Sequence, residues 1–167
     1  MTISLTGFMG CGKSSTGRAL AERLGARFVD LDAEIVARQG RSIPEIFREG
    51  GESAFRAAEL EALRAVIDEA GAADCDTVLA LGGGTLTVPA ARDLVFSRTR
   101  CVWLRTSLET IRERLGDVDA SRPLFADAGK LFAARTPVYA QAPRVVDTDG
   151  LGPAEVAAAI ESVFMQD

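Results

Sequence analysis

The sequence predicts an α/β fold, a central five-stranded parallel sheet with helices on both faces. Short apolar runs of strand length alternate with helix-length segments along the 167 residues. The strand runs are continuously apolar rather than alternating, the pattern of strands buried on both faces. The first run leads straight into Gly7-Phe8-Met9-Gly10-Cys11-Gly12-Lys13-Ser14, a loop of the form G-x-x-x-x-G-K-S/T. Such a loop joins a strand to a helix, wraps backbone N–H groups around phosphate oxygens, aims its Lys at the outer phosphates and offers its hydroxyl to Mg²⁺.

Taken in order, Ile3-Ser4-Leu5-Thr6 lies in a strand over 2–6, and a helix follows over 13–24 with Leu20 and Leu24 one turn apart. Gly25 is its expected stop. The N-terminus of that helix places a positive dipole end beneath bound phosphate. A second strand over 27–30 leads to helical segments over 33–38, 44–49 and 52–69. The apolar run 77–81 is a strand ending in Gly82-Gly83-Gly84. A helix near 89–96, a strand over 101–104 and a helix over 108–115 come next. Beyond a polar connection lie a helix near 130–141, a strand over 144–147 and a last helix over 153–164 with Pro153 in its first turn. Ligands of such sheets bind beyond the carboxyl ends of the strands, so the residues there are the functional candidates.

A chain of this length without repeats or linker composition is expected to form one domain over 1–167. No apolar run approaches the ~20 residues needed to cross a bilayer. No basic-then-apolar leader is legible at the N-terminus, and the expectation is a soluble cytoplasmic protein. Against 19 Lys plus Arg stand 24 Asp plus Glu, a net charge of −5 that argues against nucleic-acid binding. The cations that hold phosphate must therefore be gathered locally. His is absent, which removes any mechanism resting on a His base or ligand. Cys11, Cys75 and Cys101 are odd in number and form no C-x-x-C pair, so neither a disulfide framework nor a zinc site is expected. Cys11 is either reactive or a small spacer within the loop.

Several strand-end residues stand out. In Val29-Asp30-Leu31-Asp32, an extended chain would put both carboxylates on one side, one serving a metal and the other a substrate hydroxyl. Alternatively, Asp32 caps a helix that starts at Ala33. Arg56 lies one turn before Leu60 on a stripe formed with Leu63 and Ile67, so its cation must snorkel, pair or bind an anion. Gly82, Gly83 and Gly84 permit close backbone approach and positive φ, or form a flexible turn. The connection over 116–126 reads as a lid that swings Arg122 across a transferring phosphate, or as a solvated loop. Arg135 and Tyr139 share a helix face with Pro137 between them, and a kink there would turn Arg135 into the cleft, unless it is a surface arginine.

The ordered set of motifs resembles the shikimate kinases across essentially the whole chain. It comprises the loop at 7–14, D-x-D at 30–32, G-R-S-I at 40–43, F-R at 55–56, G-G-G at 82–84, R-P-L at 122–124 and R-x-P-x-Y at 135–139. The resemblance implies a three-layer P-loop kinase fold with a short mobile lid, and ATP-dependent phosphorylation of the 3-hydroxyl of shikimate in chorismate synthesis. It implies that Gly10, Cys11, Gly12, Lys13, Ser14 and Ser15 hold nucleotide phosphate and that Arg114 packs on adenine. Lys13 and Arg122 would neutralise the moving phosphoryl group, and Ser14 would ligate Mg²⁺ with Asp30 acting through water. On the acceptor side, Asp32 would hydrogen-bond ring hydroxyls while Arg56 and Arg135 clamp the carboxylate. Gly82, Gly83 and Gly84 would offer backbone. The implied partners are shikimate and ATP, with no nucleic acid, no membrane and a monomeric state.

The resemblance is incomplete after the last strand. Some relatives carry an arginine near adenine there, and this chain reads Asp147-Thr148-Asp149-Gly150-Leu151-Gly152. One rival is another small P-loop kinase, for nucleoside monophosphates or gluconate; a nucleotide acceptor would need a base-recognition pocket that no further motif suggests, and the short lid resembles that of the shikimate kinases. A GTPase switch needs N-K-x-D, which is absent, and the D-x-x-G at 147–150 follows the last strand. A non-catalytic binding protein would be expected to lack Lys13, Asp32 or Arg122, and all three are present.

Overall fold

The computed structural model describes residues 1–116 and 127–165. The strands are β1 (Thr2–Thr6), β2 (Arg27–Asp30), β3 (Thr77–Ala80), β4 (Arg100–Arg105) and β5 (Arg144–Asp147). Among the described residues they form one five-stranded sheet, all parallel, in the order β2-β3-β1-β4-β5. The helices are α1 (Lys13–Leu24), α2 (Leu31–Gln39), α3 (Ile43–Ala72), α4 (Pro89–Arg98), α5 (Leu108–Gly116), α6 (Ala128–Tyr139) and α7 (Pro153–Met165). The expected α/β architecture is therefore the observed one.

Alternate residues of the strands feed two apolar layers. On one face Val29, Leu79, Leu81, Cys101 and Trp103 pack against α2, α3, α4 and α6 through Leu31, Ile35, Leu63, Val95 and Tyr139. On the other, Ile3, Leu5, Val78, Val102 and Leu104 meet α1 and α7 through Leu20, Ala21, Val156 and Ile160. The sheet order reverses at β1, which sits between β3 and β4. A crevice opens beyond the carboxyl end of β1 for that reason.

Helix ends follow local chemistry. Gly25 closes α1 at φ 62, its N–H bonding the carbonyls of Ala21 and Glu22. Ser42 and Glu45 form a reciprocal capping box at the start of α3, with Pro44 in the first turn. Within α3 the helical conformation is interrupted at Gly51 (φ 70, ψ −168), a conformation that costs glycine little, so its two parts agree with the separate segments expected over 44–49 and 52–69. Pro137 lies inside α6, which runs on to Tyr139 as expected. It lies in the last turn, where the Thr136 hydroxyl donates to the Phe132 carbonyl at 2.7 Å. No described helix is long and apolar enough to cross a membrane.

Candidate active site

The glycine loop rises from β1 and enters α1. Gly12 adopts φ 92 just before the helix, a left-handed turn in which a side chain would be strained. Gly7 is held by crowding as well, since a Cβ there would lie 2.8 Å from both Cys11 Sγ and the Leu104 carbonyl oxygen. Cys11 is buried beneath the loop. The Lys13 ammonium donates to the carbonyls of Gly7 at 2.8 Å and Phe8 at 3.0 Å. It arches across the loop, with a longer third contact to Cys11 Sγ at 3.8 Å.

The D-x-D segment corrects the sequence expectation. The chain does not stay extended to Asp32, and Asp32 is not the cap. Asp30 is the cap: its Oδ1 accepts from the N–H groups of Asp32 at 3.1 Å and Ala33 at 3.3 Å, so α2 begins at Leu31. Its other oxygen, Oδ2, accepts from the Ser14 hydroxyl at 2.7 Å, tying β2 to the loop. The two carboxylates still reach one cavity, because the first helical turn carries Asp32 over its rim. That cavity, about 320 Å³, is lined by Met9, Gly10, Lys13, Ser14, Asp30, Asp32, Gly82 and Gly83 among others. Asp32 opens onto it, yet the surrounding protein desolvates the carboxyl and pushes it above its usual range. Repulsion from Asp30 and Glu59 adds to this, and Lys13 and Arg56 oppose it.

Arg56 lies beside, not on, the buried stripe of α3. That stripe runs through Phe55, Ala58, Glu59, Ala62, Leu63, Val66 and Ile67, and Leu60 is only partly covered. The guanidinium donates from Nη1 to Glu59 Oε1 at 2.8 Å. Glu59 is 1% exposed and was absent from the sequence candidates. Its signal was legible: it stands one turn from both Phe55 and Leu63, and a carboxylate on an apolar stripe demands a partner. Glu59 Oε2 accepts from the Thr85 hydroxyl at 2.8 Å.

The glycine triplet is required for space rather than for positive φ. Gly84 sits at φ −104, and neither Gly82 nor Gly83 has positive φ. A Cβ on Gly84 would lie 2.3 Å from Arg56 Nη2, one on Gly83 would lie 3.3 Å from Arg135 Nη1, and one on Gly82 would lie 3.2 Å from Asp32 Oδ1. Three charged side chains thus close on one bare turn. Tyr139 anchors it, donating its hydroxyl to the Gly83 carbonyl at 2.6 Å. Burial pushes the Tyr139 phenol up to about 12, against the nearby Arg135, so it remains a donor. Arg135 faces the cleft as the kinked-helix alternative expected, although the helix continues past Pro137.

On the other side of the loop a second cavity of about 320 Å³ is lined by Gly10, Cys11, Gly12, Ser15, Thr16, Arg114, Thr148, Leu151, Pro153 and Val156. Arg114 Nη1 reaches the Gly10 carbonyl at 3.4 Å. The segment after β5, which carries no arginine, supplies an aliphatic wall through Leu151, Pro153 and Val156. Arg122, with residues 117–126 of the lid expected over 116–126, lies outside the described residues.

The phosphate loop and Asp32 thus line one cavity, and Arg56 and Arg135 pack against the glycine turn at its edge. A family model described as shikimate kinase matches residues 9–164. The shikimate kinase of Thermus thermophilus is 44% identical over 154 residues, covering 89% of this chain and 81% of that protein. That of Streptomyces coelicolor is 42% identical over 172 aligned positions, covering 99% and 96% respectively. The solved structure of shikimate kinase from Acinetobacter baumannii in complex with shikimate superimposes with a TM-score of 0.88 at 32% identity, covering 99% of this chain and 93% of that one. By sequence and by structure, the chain belongs to the shikimate kinase family.

Proposed function

We infer that this chain transfers a phosphoryl group from ATP to the 3-hydroxyl of shikimate, releasing shikimate 3-phosphate and ADP in the pathway to chorismate and the aromatic amino acids. The observation that carries this is the convergence of Lys13 and Asp32 on one cavity also lined by Gly82 and Gly83, with Arg56 and Arg135 packed against the 82–84 turn. Family membership agrees with it.

In this reading the acceptor carboxylate lies between Arg56 and Arg135, whose planar guanidinium groups suit bidentate pairing. Gly82, Gly83 and Gly84 let the ring approach the backbone. Asp32 accepts from the ring hydroxyls and orients the attacking oxygen. Its raised carboxyl makes it a better proton acceptor than an ordinary Asp. A loose transition state asks more for charge stabilisation than for a strong base. Lys13 supplies that charge, with Arg122 as the second cation. Residues 10–15 hold the nucleotide phosphates, and Arg114 with Leu151 and Pro153 encloses the adenine.

The Ser14 hydroxyl and Asp30 carboxylate form a pair of hard oxygen ligands beside the cavity, which fits Mg²⁺ held directly by Ser14 and through water by Asp30. Bound there, the ion would neutralise phosphate charge. The same reading takes the chain as a single domain over 1–167, a cytoplasmic monomer acting on small molecules, with neither nucleic acid nor membrane as partner. The acidic net charge of −5 supports the exclusion of nucleic acid.

Coupled ADP release with shikimate, gluconate and AMP offered separately tests the assignment. Turnover with shikimate alone is expected. Turnover with gluconate or AMP but not shikimate would sink it.

A further inference from the structure

Thr85 follows the glycine triplet and opens a short 3-10 turn, Thr85–Thr87. Its side chain is fully buried, and its backbone N–H bonds the Gly82 carbonyl at 3.2 Å. Hydroxyl and glycine turn are therefore fixed as one unit. The hydroxyl donates to Glu59 Oε2 at 2.8 Å, while Glu59 Oε1 accepts from Arg56 Nη1 at 2.8 Å. A carboxylate at 1% exposure needs partners on both oxygens, and here each oxygen has a different one. Nothing else fits beside the hydroxyl bond: a Cβ on Gly82 would lie 3.0 Å from Glu59 Oε2 and 3.1 Å from Thr85 Oγ1.

Arg56 has a competing partner. Its Nε lies 3.6 Å from Oε1 of Glu52, an exposed carboxylate one turn earlier on α3. A guanidinium with two carboxylates on its own helix is held at the cleft only if the buried one keeps its orientation. We propose that Thr85 is a positioning residue for acceptor binding: its hydroxyl holds one oxygen of Glu59, so the other holds Arg56 against the glycine turn rather than back along α3. Without that hydroxyl, one oxygen of Glu59 is left unpaired and the carboxylate loses its fixed orientation, so its hold on Arg56 loosens and Glu52 draws the guanidinium back along α3, off the acceptor side. Thr85 itself touches no substrate. The inference rests on the reading in which Arg56 binds the shikimate carboxylate, and the nucleotide half of the site lies outside the relay.

Steady-state kinetics of Thr85→Val, Thr85→Ala and Thr85→Ser test this, with fluorescent-nucleotide binding reporting that each variant is folded. The expected result is a rise in shikimate KM of about tenfold in Thr85→Val, the usual scale for leaving one buried acceptor unpaired. Turnover at saturation and the KM for ATP should stay within about twofold, while Thr85→Ser recovers the wild-type shikimate KM. If Thr85→Val does not fold, Thr85→Ala carries the same expectation, because it also removes the hydroxyl. A shikimate KM unchanged in both, a parallel rise in the KM for ATP, or a serine variant as impaired as valine would overturn the relay. Wild-type protein that turns over no shikimate would instead overturn the activity reading on which the relay rests.

Discussion

Residues 7–15 and the group formed by Asp32, Arg56, the 82–84 turn and Arg135 face each other across one cleft, and they are assembled differently. The phosphate side is one unbroken stretch between β1 and α1, and its shape comes from its own backbone: Gly12 in the left-handed region, Lys13 bonded to carbonyls five and six residues earlier. The acceptor side is drawn from α2, α3, the turn after β3, and α6. Its shape comes from side chains of one element filling space left by another, as Arg56 and Arg135 do at Gly84 and Gly83. A local site survives changes elsewhere in the fold. A site built from four elements depends on each of them, and so carries supporting groups such as Glu59, Thr85 and Tyr139.

The sharpest way to break this contrast is at its centre. Lys13→Ala should lower kcat by about 10²–10³, the usual cost of removing a group that stabilises developing charge, with shikimate KM little changed. Preserved kcat with a raised shikimate KM would move Lys13 to the acceptor half. Arg135→Ala should do the reverse, raising shikimate KM roughly 10–100-fold while the KM for ATP holds, as expected for a lost charge-assisted bond of about 1.5–3 kcal/mol. Equal effects on both substrates would show that the two halves are not separable.

The smallest effect concerns stability. Desolvation chiefly, with repulsion from Asp30 and Glu59, raises the folded Asp32 carboxyl above its unfolded value of 3.8. A raised carboxyl makes no demand on the fold while protonated, and its destabilising effect appears as pH rises through the folded value. Asp32→Asn should therefore be inactive yet slightly more stable at pH 7, by roughly 1–3 °C in Tm, since the group opens to screening solvent. The gain should vanish in acid. A lower Tm for Asp32→Asn at pH 7 in a thermal series would reject desolvation as the dominant influence.

The donor half was almost wholly legible, because the glycine spacing and the Lys-Ser pair are consecutive in the chain. The acceptor half was legible as residue types, and less so as geometry. The D-x-D reading expects an extended backbone that the structure does not have, since period two says nothing of an Asp that accepts two N–H groups and starts a helix at Leu31. Of the two properties expected of the glycine triplet, close approach and positive φ, only the first is used, as room for guanidinium groups that arrive from distant helices. The apolar stripe of α3 signals that Glu59 needs a partner but not which: its partners are three and 26 positions away, and the second is visible only after α3 packs against the turn.

Sequence alone determined the parallel sheet and the phosphate loop. Those properties follow from hydrophobic runs and from the spacing of the glycines before Lys13-Ser14. Tertiary structure decided which oxygen of Asp30 caps and which receives Ser14, and how Glu59 divides its two oxygens between Arg56 and Thr85. A carboxylate can satisfy several partners equally well, and only the packing of the elements around it selects among them.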